Sequence, residues 1–207
     1  MRFLLVLVVA AASGCAIGNK HNYTSDPPTL AVEGTRSIAV AAQDARPYVV
    51  SKEKAPEFVG VQRGGFGNPF DVTTESGRPL AEDFGATIAR SLQGRGFKST
   101  AVALPPSNAM PDVRALAAQA RAERVALVYI HEWKSDTYQN TALLYELVLR
   151  VFDANGSELA SNHITGRDNL GGSAWNPPEH AKSAVPQAYR QKLTELFGAD
   201  SVKKSLR

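Results

Sequence analysis

An α+β fold is predicted by the order in which apolar patterns follow one another along the 207 residues. Residues 143–152 alternate between two sets of side chains, which is typical of a strand with one buried face. Before Gly94, apolar residues recur every four positions, as in a helix with one buried face: Leu80, Phe84, Ile88 and Leu92. The order β, α, β, α, β, β, β, α predicts a mixed sheet that ends in an antiparallel three-stranded meander, with helices mainly on one face. A small α/β sandwich is the alternative.

The first strand is predicted at Ser37 to Ala42, a run of small apolar residues that ends before Pro47, where proline stops sheet pairing. The following stretch, residues 48–79, is rich in glycine and proline, with short apolar pieces on either side of its central glycines. It fits either an exposed hairpin or a long loop. Irregular connections of this length are often binding loops, so the stretch is a candidate for function.

The middle of the chain predicts a helix, a strand and a second helix. The first helix begins after Pro79 and carries the four-residue repeat described above. Residues 97–104 favour a strand, which the two following prolines end. The second helix starts after Asn108 or Pro111 and continues to Ala120, because proline is tolerated in a first helical turn.

Three consecutive strands are predicted next, and they form the meander. The nearly continuous apolar run 125–130 is typical of a strand covered on both faces. In the second strand, the alternate residues from Leu143 to Val151 are wholly apolar and are predicted to face the core. Asn155–Gly156 favours a tight turn, because Asn-Gly adopts positive φ at low cost, and a third strand follows over 158–167.

A final helix is predicted over residues 179–197, where Pro186 indicates a kink or a restart. No internal repeat is visible, and we predict a single globular α+β domain over residues 36–207. Residues 15–35 hold few large apolar groups and no sustained period, so they are predicted to form a flexible tether. The net charge of +3 is a weak excess without a block of like charge, which argues against a nucleic-acid partner.

The only cysteine, Cys15, follows an apolar segment and a group of small residues. A basic residue, about ten apolar residues and then small residues form a secretory signal, so residues 1–14 are predicted to be a signal peptide. Ala12-Ser13-Gly14-Cys15 resembles the lipobox of bacterial lipoproteins. That resemblance implies cleavage before Cys15, attachment of palmitate or a similar fatty acid to it, and a membrane anchor. The alternatives are an ordinary signal peptide with a chance cysteine and a cytosolic protein with an apolar start.

Catalytic motifs do not occur in this sequence. There is no Gly-x-Ser-x-Gly elbow, no phosphate loop ending in Gly-Lys-Ser/Thr and no His-Glu-x-x-His metal helix. We therefore predict no enzyme, no catalytic residue, no metal and no cofactor. The open alternative is a metal or acid–base site in which side chains converge across a sheet: His131, Glu132, Asp136 and His163.

Asp44 and Arg46 stand at the end of the first predicted strand, just before a proline. A bidentate contact between this carboxylate and this guanidinium group would pin the strand to a neighbour, and this structural interpretation is preferred. The alternative is that the two groups bind a polar ligand.

The glycine-rich stretch 48–79 also carries three large aromatic residues, Phe58, Phe66 and Phe70. A free surface loop has little reason to keep such groups, so we predict that these three residues contact a partner. The alternative is a hairpin that extends the sheet, with the three rings packed into the domain. A further alternative is a sugar-stacking platform made of Phe66, Trp133, Tyr138 and Trp175.

Several pieces of the chain together resemble the YajG family of bacterial lipoproteins. The pieces are the lipobox, Gln43–Arg46, Leu92–Phe97, Ser135–Asp136, Asn155–Gly156 and the terminal helix. The match spans most of residues 36–200. The chain departs from the family in its longer stretch 48–79 and in its proline-flanked helix near 111–122.

The resemblance implies an envelope lipoprotein without an established active site. We predict an outer-membrane lipoprotein that faces the periplasm, has a non-catalytic binding or scaffolding role and contacts another envelope protein. Ala16 stands where an aspartate is associated with retention in the inner membrane, which favours the outer membrane. The alternatives are a ligand-binding module for peptidoglycan or lipid, and a metal-assisted hydrolase. The oligomeric state is not predicted.

Overall fold

The computed structural model describes residues 18–207. The signal-peptide prediction and Cys15 lie outside the described residues. The elements, in chain order, are β1 (Lys20–His21), β2 (Ser37–Asp44), α1 (Pro47–Val50), β3 (Phe58–Arg63), β4 (Pro69–Thr74), α2 (Leu80–Gln93), β5 (Lys98–Val102), α3 (Val113–Ala120), β6 (Arg124–Thr137), β7 (Asn140–Asp153), β8 (Glu158–Gly172), α4 (Pro177–Leu196) and α5 (Asp200–Leu206).

All the strands belong to one mixed sheet that branches at β6. Along one edge of β6, residues 124–130 pair in parallel with β2, and residues 135–137 pair in parallel with β3. Along the other edge, β7 pairs in antiparallel fashion over nearly the whole length of β6. A bulge between Ile130 and Glu132 lies between the part of β6 that pairs with β2 and the part that pairs with β3. The strand order is therefore β1-β4-β3-β6-β2-β5, with β7 and β8 on the second side of β6.

The predicted meander is confirmed as β6, β7 and β8, which pair in antiparallel order. The alternation in β7 has the predicted register, because the apolar set is buried: Leu143, Tyr145, Leu147, Leu149 and Val151. The intervening residues from Leu144 to Arg150 are half-buried on the opposite face. One face of β7 therefore forms core, as the period of two required.

The predicted α+β class and the bias of helices to one face are confirmed. The helices α2, α4 and α5 pack on one face of the sheet in the larger apolar cluster, while α3 packs against β2 and β6 on the other face. The four-residue repeat of α2 is fully buried, from Leu80 to Leu92. Pro186 lies inside α4, which runs through it without a break. Among residues 18–207, none of the helices has both the length and the apolar content to cross a bilayer.

Residues 18–35 differ from the predicted flexible tether. Tyr23, Leu30 and Val32 are buried in the main core, and the Trp133 indole N–H donates to the Tyr23 hydroxyl at 3.0 Å. The Thr87 hydroxyl donates to the Tyr23 carbonyl at 2.7 Å. This segment is a strap across α2 and α4, so the folded domain extends to Gly18 and does not begin at residue 36. The strap lacks a period because its few apolar groups fill gaps between other elements.

The stretch 48–79 forms an ordered hairpin, one of the two predicted alternatives. After the short α1, strands β3 and β4 pair in antiparallel fashion, and β3 joins the sheet beside the end of β6. Gly60 permits this junction, because a Cβ atom there would lie 2.1 Å from the Ser135 hydroxyl. We call this element the β3–β4 hairpin, with its root near Phe58 and its tip at residues 64–68.

Candidate functional site

The root of the β3–β4 hairpin is held by a buried ion pair. Asp44 and Arg46 have side chains that are 1% and 0% exposed. Arg46 Nε and Nη2 donate to the two carboxylate oxygens of Asp44 at 2.9 and 2.7 Å. Arg46 Nη1 donates to the carbonyls of Phe58 at 2.6 Å and Trp133 at 3.3 Å, and Nη2 also reaches the carbonyl of Pro56 at 3.2 Å.

This geometry agrees with the structural interpretation of Asp44 and Arg46. All five N–H groups of the guanidinium have an acceptor within the protein, so none is left to bind a ligand. The acceptors belong to β2, the segment before β3, β3 itself and β6. Arg46 therefore ties the hairpin root to the centre of the sheet, and it keeps the direction of the hairpin fixed.

The tip of the hairpin is exposed. A short turn closes it, with the Gly67 N–H on the Gly64 carbonyl at 2.8 Å and the Gly64 N–H on the Asn68 carbonyl at 2.9 Å. Gly67 has φ of +81°, a conformation that favours glycine. Phe66 between these glycines is 99% exposed. An exposed bidentate ion pair between Arg63 and Asp136, at 2.9 and 2.7 Å, fixes the base of the tip to β6.

Two other loops reach the same end of the sheet. Val61 pairs with Asp136 near the end of β6, so the tip extends past the β6–β7 turn. Gly172 at the end of β8 pairs with Asn140 at the start of β7, so the loop before α4 leaves from there as well. These loops carry the other two exposed aromatic residues of the described chain, Tyr138 (47% exposed) and Trp175 (97% exposed). We call the loops 64–68, 138–139 and 173–176 the aromatic end.

The first described residues also lie at the aromatic end. Lys20 pairs with Thr73 in parallel, and β4 begins next to the hairpin tip, so the chain before Lys20 leads toward that tip. Asn19 donates from its side-chain amide to the carbonyl of Pro178, at the start of α4, at 2.7 Å. An open depression joins these elements, and its lining includes Gly18, Gln62 and Asn176.

The three residues predicted to contact a partner do not act together. Phe58 is 3% exposed, packed edge-on against Tyr48 and beneath the Lys54 ammonium group, which lies 4.9 Å from the ring centre. Phe70 is half-buried against the backbone of Gly64. Phe66 alone projects into solvent. The prediction is therefore wrong for Phe58, because the hairpin root belongs to the core.

The structure does not bring the suggested His/Asp/Glu cluster together. Glu132 accepts a hydrogen bond from the Tyr48 hydroxyl, and Asp136 pairs with Arg63. His131 stacks on a neighbouring tyrosine, and His163 faces Glu146 at 3.4 Å. Across residues 18–207 no three His, Cys, Asp or Glu side chains are arranged to hold a metal ion. The suggested aromatic platform also loses Trp133, which is fully buried.

His21 is a buried titratable group that no sequence pattern indicated. Its Nε2 lies 3.2 Å from the Ser135 hydroxyl, while Nδ1 is buried without a hydrogen-bond partner. Burial lowers the pKa of His21 to about 4, and the charge of Lys182 adds to the effect. The imidazole is therefore neutral at physiological pH and belongs to the packing of the strap.

The exposure of Trp175 could have been predicted from its place in the sequence. It lies in a polar loop outside every apolar period, between Gly171–Gly172 and Pro177–Pro178. A large aromatic residue in such a place has no element that can carry it into the core. The same reasoning applies to Phe66 among its glycines, whereas it fails for Phe58, which begins a strand.

Solved structures with a similar fold exist. No family model matches the chain, and no curated protein matches it. The crystal structure of a DUF330 protein from Xanthomonas campestris matches with a TM-score of 0.52 and 16% identity, over 91% of this chain and 94% of that one. The chain shares the fold of that protein.

Two bacterial lipoproteins match with lower scores. Lipoprotein GNA1162 from Neisseria meningitidis has 15% identity and a TM-score of 0.32, over 74% of this chain and 97% of that one. Lipoprotein B from Nitrosomonas europaea has 12% identity and a TM-score of 0.35, over 83% of this chain and 90% of that one.

Proposed function

We propose that this protein is a lipid-anchored lipoprotein of the bacterial outer membrane, facing the periplasm, with a non-catalytic binding or scaffolding role. The anchor is a fatty acid on Cys15, supported by the signal-like segment and the small residues before it. An anchor of this kind raises the effective concentration of the domain at the membrane, so that a weak contact becomes effective. YajG-family membership is part of the proposal and is supported by the quoted sequence pieces.

The binding element we propose is the tip of the β3–β4 hairpin. The observation that carries this proposal is Phe66, which stands 99% exposed on a hairpin whose root is pinned by Arg46. A rigid element that presents one large apolar side chain to solvent is the arrangement found at binding surfaces. Phe70 supports the tip from its half-buried position, and Phe58 contributes to stability instead of binding.

The anchor is tested with Cys15→Ser in cells that are fed labelled fatty acid. We expect the variant to lose both the label and cleavage before residue 15, while the natural chain takes up the label. Uptake of the label by Cys15→Ser at the same level would refute the anchor.

The binding element is tested by crosslinking the intact protein in its own envelope and comparing Phe66→Ala with Phe58→Leu. We expect Phe66→Ala to reduce the captured material, because the exposed ring is the contact. Phe58→Leu keeps an apolar group in the core and should leave capture unchanged. Equal capture by the natural chain, Phe66→Ala and Phe58→Leu would refute a binding role for the tip.

A further inference from the structure

We propose that the aromatic end docks on the surface of the membrane that holds the lipid anchor, with Phe66, Tyr138 and Trp175 in the headgroup region. This inference rests on the proposed function, since it assumes a fatty acid on Cys15. It extends that function because it states what the hairpin tip binds, namely a phospholipid surface. Three separate features of the described residues lead to it.

The first feature is the exposure of large aromatic groups at one end only. Phe66, Trp175 and Tyr138 come from three different loops, yet all three loops open at the end of the sheet where β6 finishes. Tryptophan and tyrosine favour the boundary between water and hydrocarbon, where an apolar ring and a polar atom are both accommodated. Phenylalanine at a glycine-rich tip can enter the acyl boundary without unfolding its hairpin.

The second feature is the path of the chain. Lys20 and Gly18 lead toward the hairpin tip, since β1 is parallel to β4 and β4 begins at that tip. Three peptide units separate Gly18 from Cys15, and they span at most about 11 Å when fully extended. The α-carbon of Cys15 therefore lies within that distance of Gly18, which stands beside Asp71 in the strand that leads from the hairpin tip. So short a connection keeps this end, and no other, against the membrane.

The third feature is the charge of the same end. Three of its carboxylates are paired with cations: Asp71 with Lys54 at 2.7 Å, Asp136 with Arg63 at 2.7 Å, and Asp168 with Lys192 at 2.9 Å. Glu75, which lines the depression beside Gly18, accepts a hydrogen bond from the side-chain amide of Asn22. These three ion pairs therefore reduce the negative charge that anionic headgroups meet as this end approaches the membrane. The opposite end of the sheet is held by polar contacts such as the ion pair of Arg36 with Glu123. Its large exposed apolar residues are the aliphatic Met110 and Leu159, and neither carries an aromatic ring.

The chain itself supplies the probe for this contact, because it contains two tryptophans with opposite environments. Trp175 is almost fully exposed and Trp133 is fully buried. The experiment uses the full-length acylated lipoprotein in vesicles of phosphatidylethanolamine and phosphatidylglycerol whose acyl chains are brominated near the glycerol. Bromine quenches only those indoles that reach the headgroup boundary.

We expect the natural chain to show a shift of emission to shorter wavelength and a loss of intensity with brominated lipid. Trp175→Phe should show neither, because only Trp133 remains, and Phe66→Ser should show a smaller loss. Sedimentation with the vesicles and the mass of the acylated chain report the anchor separately. An acylated, vesicle-bound chain with unquenched Trp175 would overturn the docking and leave the anchor intact. An unacylated chain would overturn the proposed function, and the docking falls with it.

A second measurement distinguishes lipid from protein as the occupant. A photoactivatable phenylalanine analogue at position 66 is activated in cells, with the analogue at Leu159 as the control at the opposite end. We expect adducts of lipid mass at position 66 and none at position 159. Adducts of protein mass at position 66, without lipid, would overturn the docking and assign the tip to a protein partner.

Discussion

The root and the tip of the β3–β4 hairpin each carry a phenylalanine, and one ring is buried while the other is exposed. At the root, the ring of Phe58 lies under the Lys54 ammonium group, and its carbonyl accepts a buried hydrogen bond from Arg46 Nη1. At the tip, Phe66 lies in a turn of glycines and is 99% exposed. The root of the hairpin thus contributes to the stability of the fold, whereas the tip is accessible to a binding partner.

The strongest way to break this division is to remove the group that pins the root. Arg46→Ala would leave the buried carboxylate of Asp44 without its cationic partner. It would also remove the guanidinium donors from the carbonyls of Phe58 and Trp133. We expect a loss of about 3–5 kcal/mol in the free energy of unfolding, measured by urea denaturation. The matched control is Arg63→Ala, which removes an exposed ion pair and should cost less than about 1 kcal/mol. Similar losses in both variants would mean that the root is not pinned by Arg46.

The second prediction compares the two rings directly, beginning with the root. Phe58→Ala removes a ring that is buried against Tyr48 and leaves a cavity. We expect the free energy of unfolding to fall by about 3 kcal/mol, as measured by thermal and urea unfolding. A loss of less than about 1 kcal/mol would show that the root relaxes around the missing ring and is not part of the core.

The third prediction uses pH to loosen the strap that covers the hairpin root. The unfolded chain protonates His21 near pH 6.5, whereas the folded chain, with a pKa of about 4, resists protonation. Stability is therefore lost as the pH falls from 6.5 to 4, by on the order of 3 kcal/mol over that interval. His21 faces the Ser135 hydroxyl of β6, the ring of Tyr23 and the positive charge of Lys182 on α4.

The control for this pH effect is His21→Gln, which fills a similar space and does not titrate. Carboxylates titrate equally in both chains, so their contribution cancels in the difference between the two stability curves. We expect that difference to change steadily between pH 6.5 and 4 and to be constant above pH 7.5. A difference that is constant over the whole range would show that the folded chain accepts the proton without cost.

The smallest expected effect is at the tip. Phe66→Ala removes a ring that has no neighbours to lose, so the free energy of unfolding should change by no more than about 0.5 kcal/mol. The measurement is the same unfolding curve that is used for Phe58→Ala. A loss comparable to that of Phe58→Ala would place Phe66 in the core and would end the distinction between root and tip.

The sequence by itself determined the elements whose period comes from their own residues. The helix α2 was predictable because four apolar groups on one face need only the 3.6-residue turn to come together. The strand β7 was predictable because alternation places one set of its side chains in the core regardless of which strands lie beside it. The ion pair of Asp44 with Arg46 was also predictable, since its partners are two residues apart.

Only the tertiary structure decided the burial of residues that have no period of their own. Tyr23 belongs to the core because two residues distant in the chain, Trp133 and Tyr189, pack against its ring, and the Trp133 indole N–H donates to its hydroxyl. Phe58 is buried and Phe66 exposed although both lie in the same glycine-rich stretch, because the hairpin root meets β6 and the tip extends past it. The aromatic end likewise exists only after three loops are placed at one end of the sheet. Local sequence sets the conformation of each segment, but burial depends on partners that are distant in the chain.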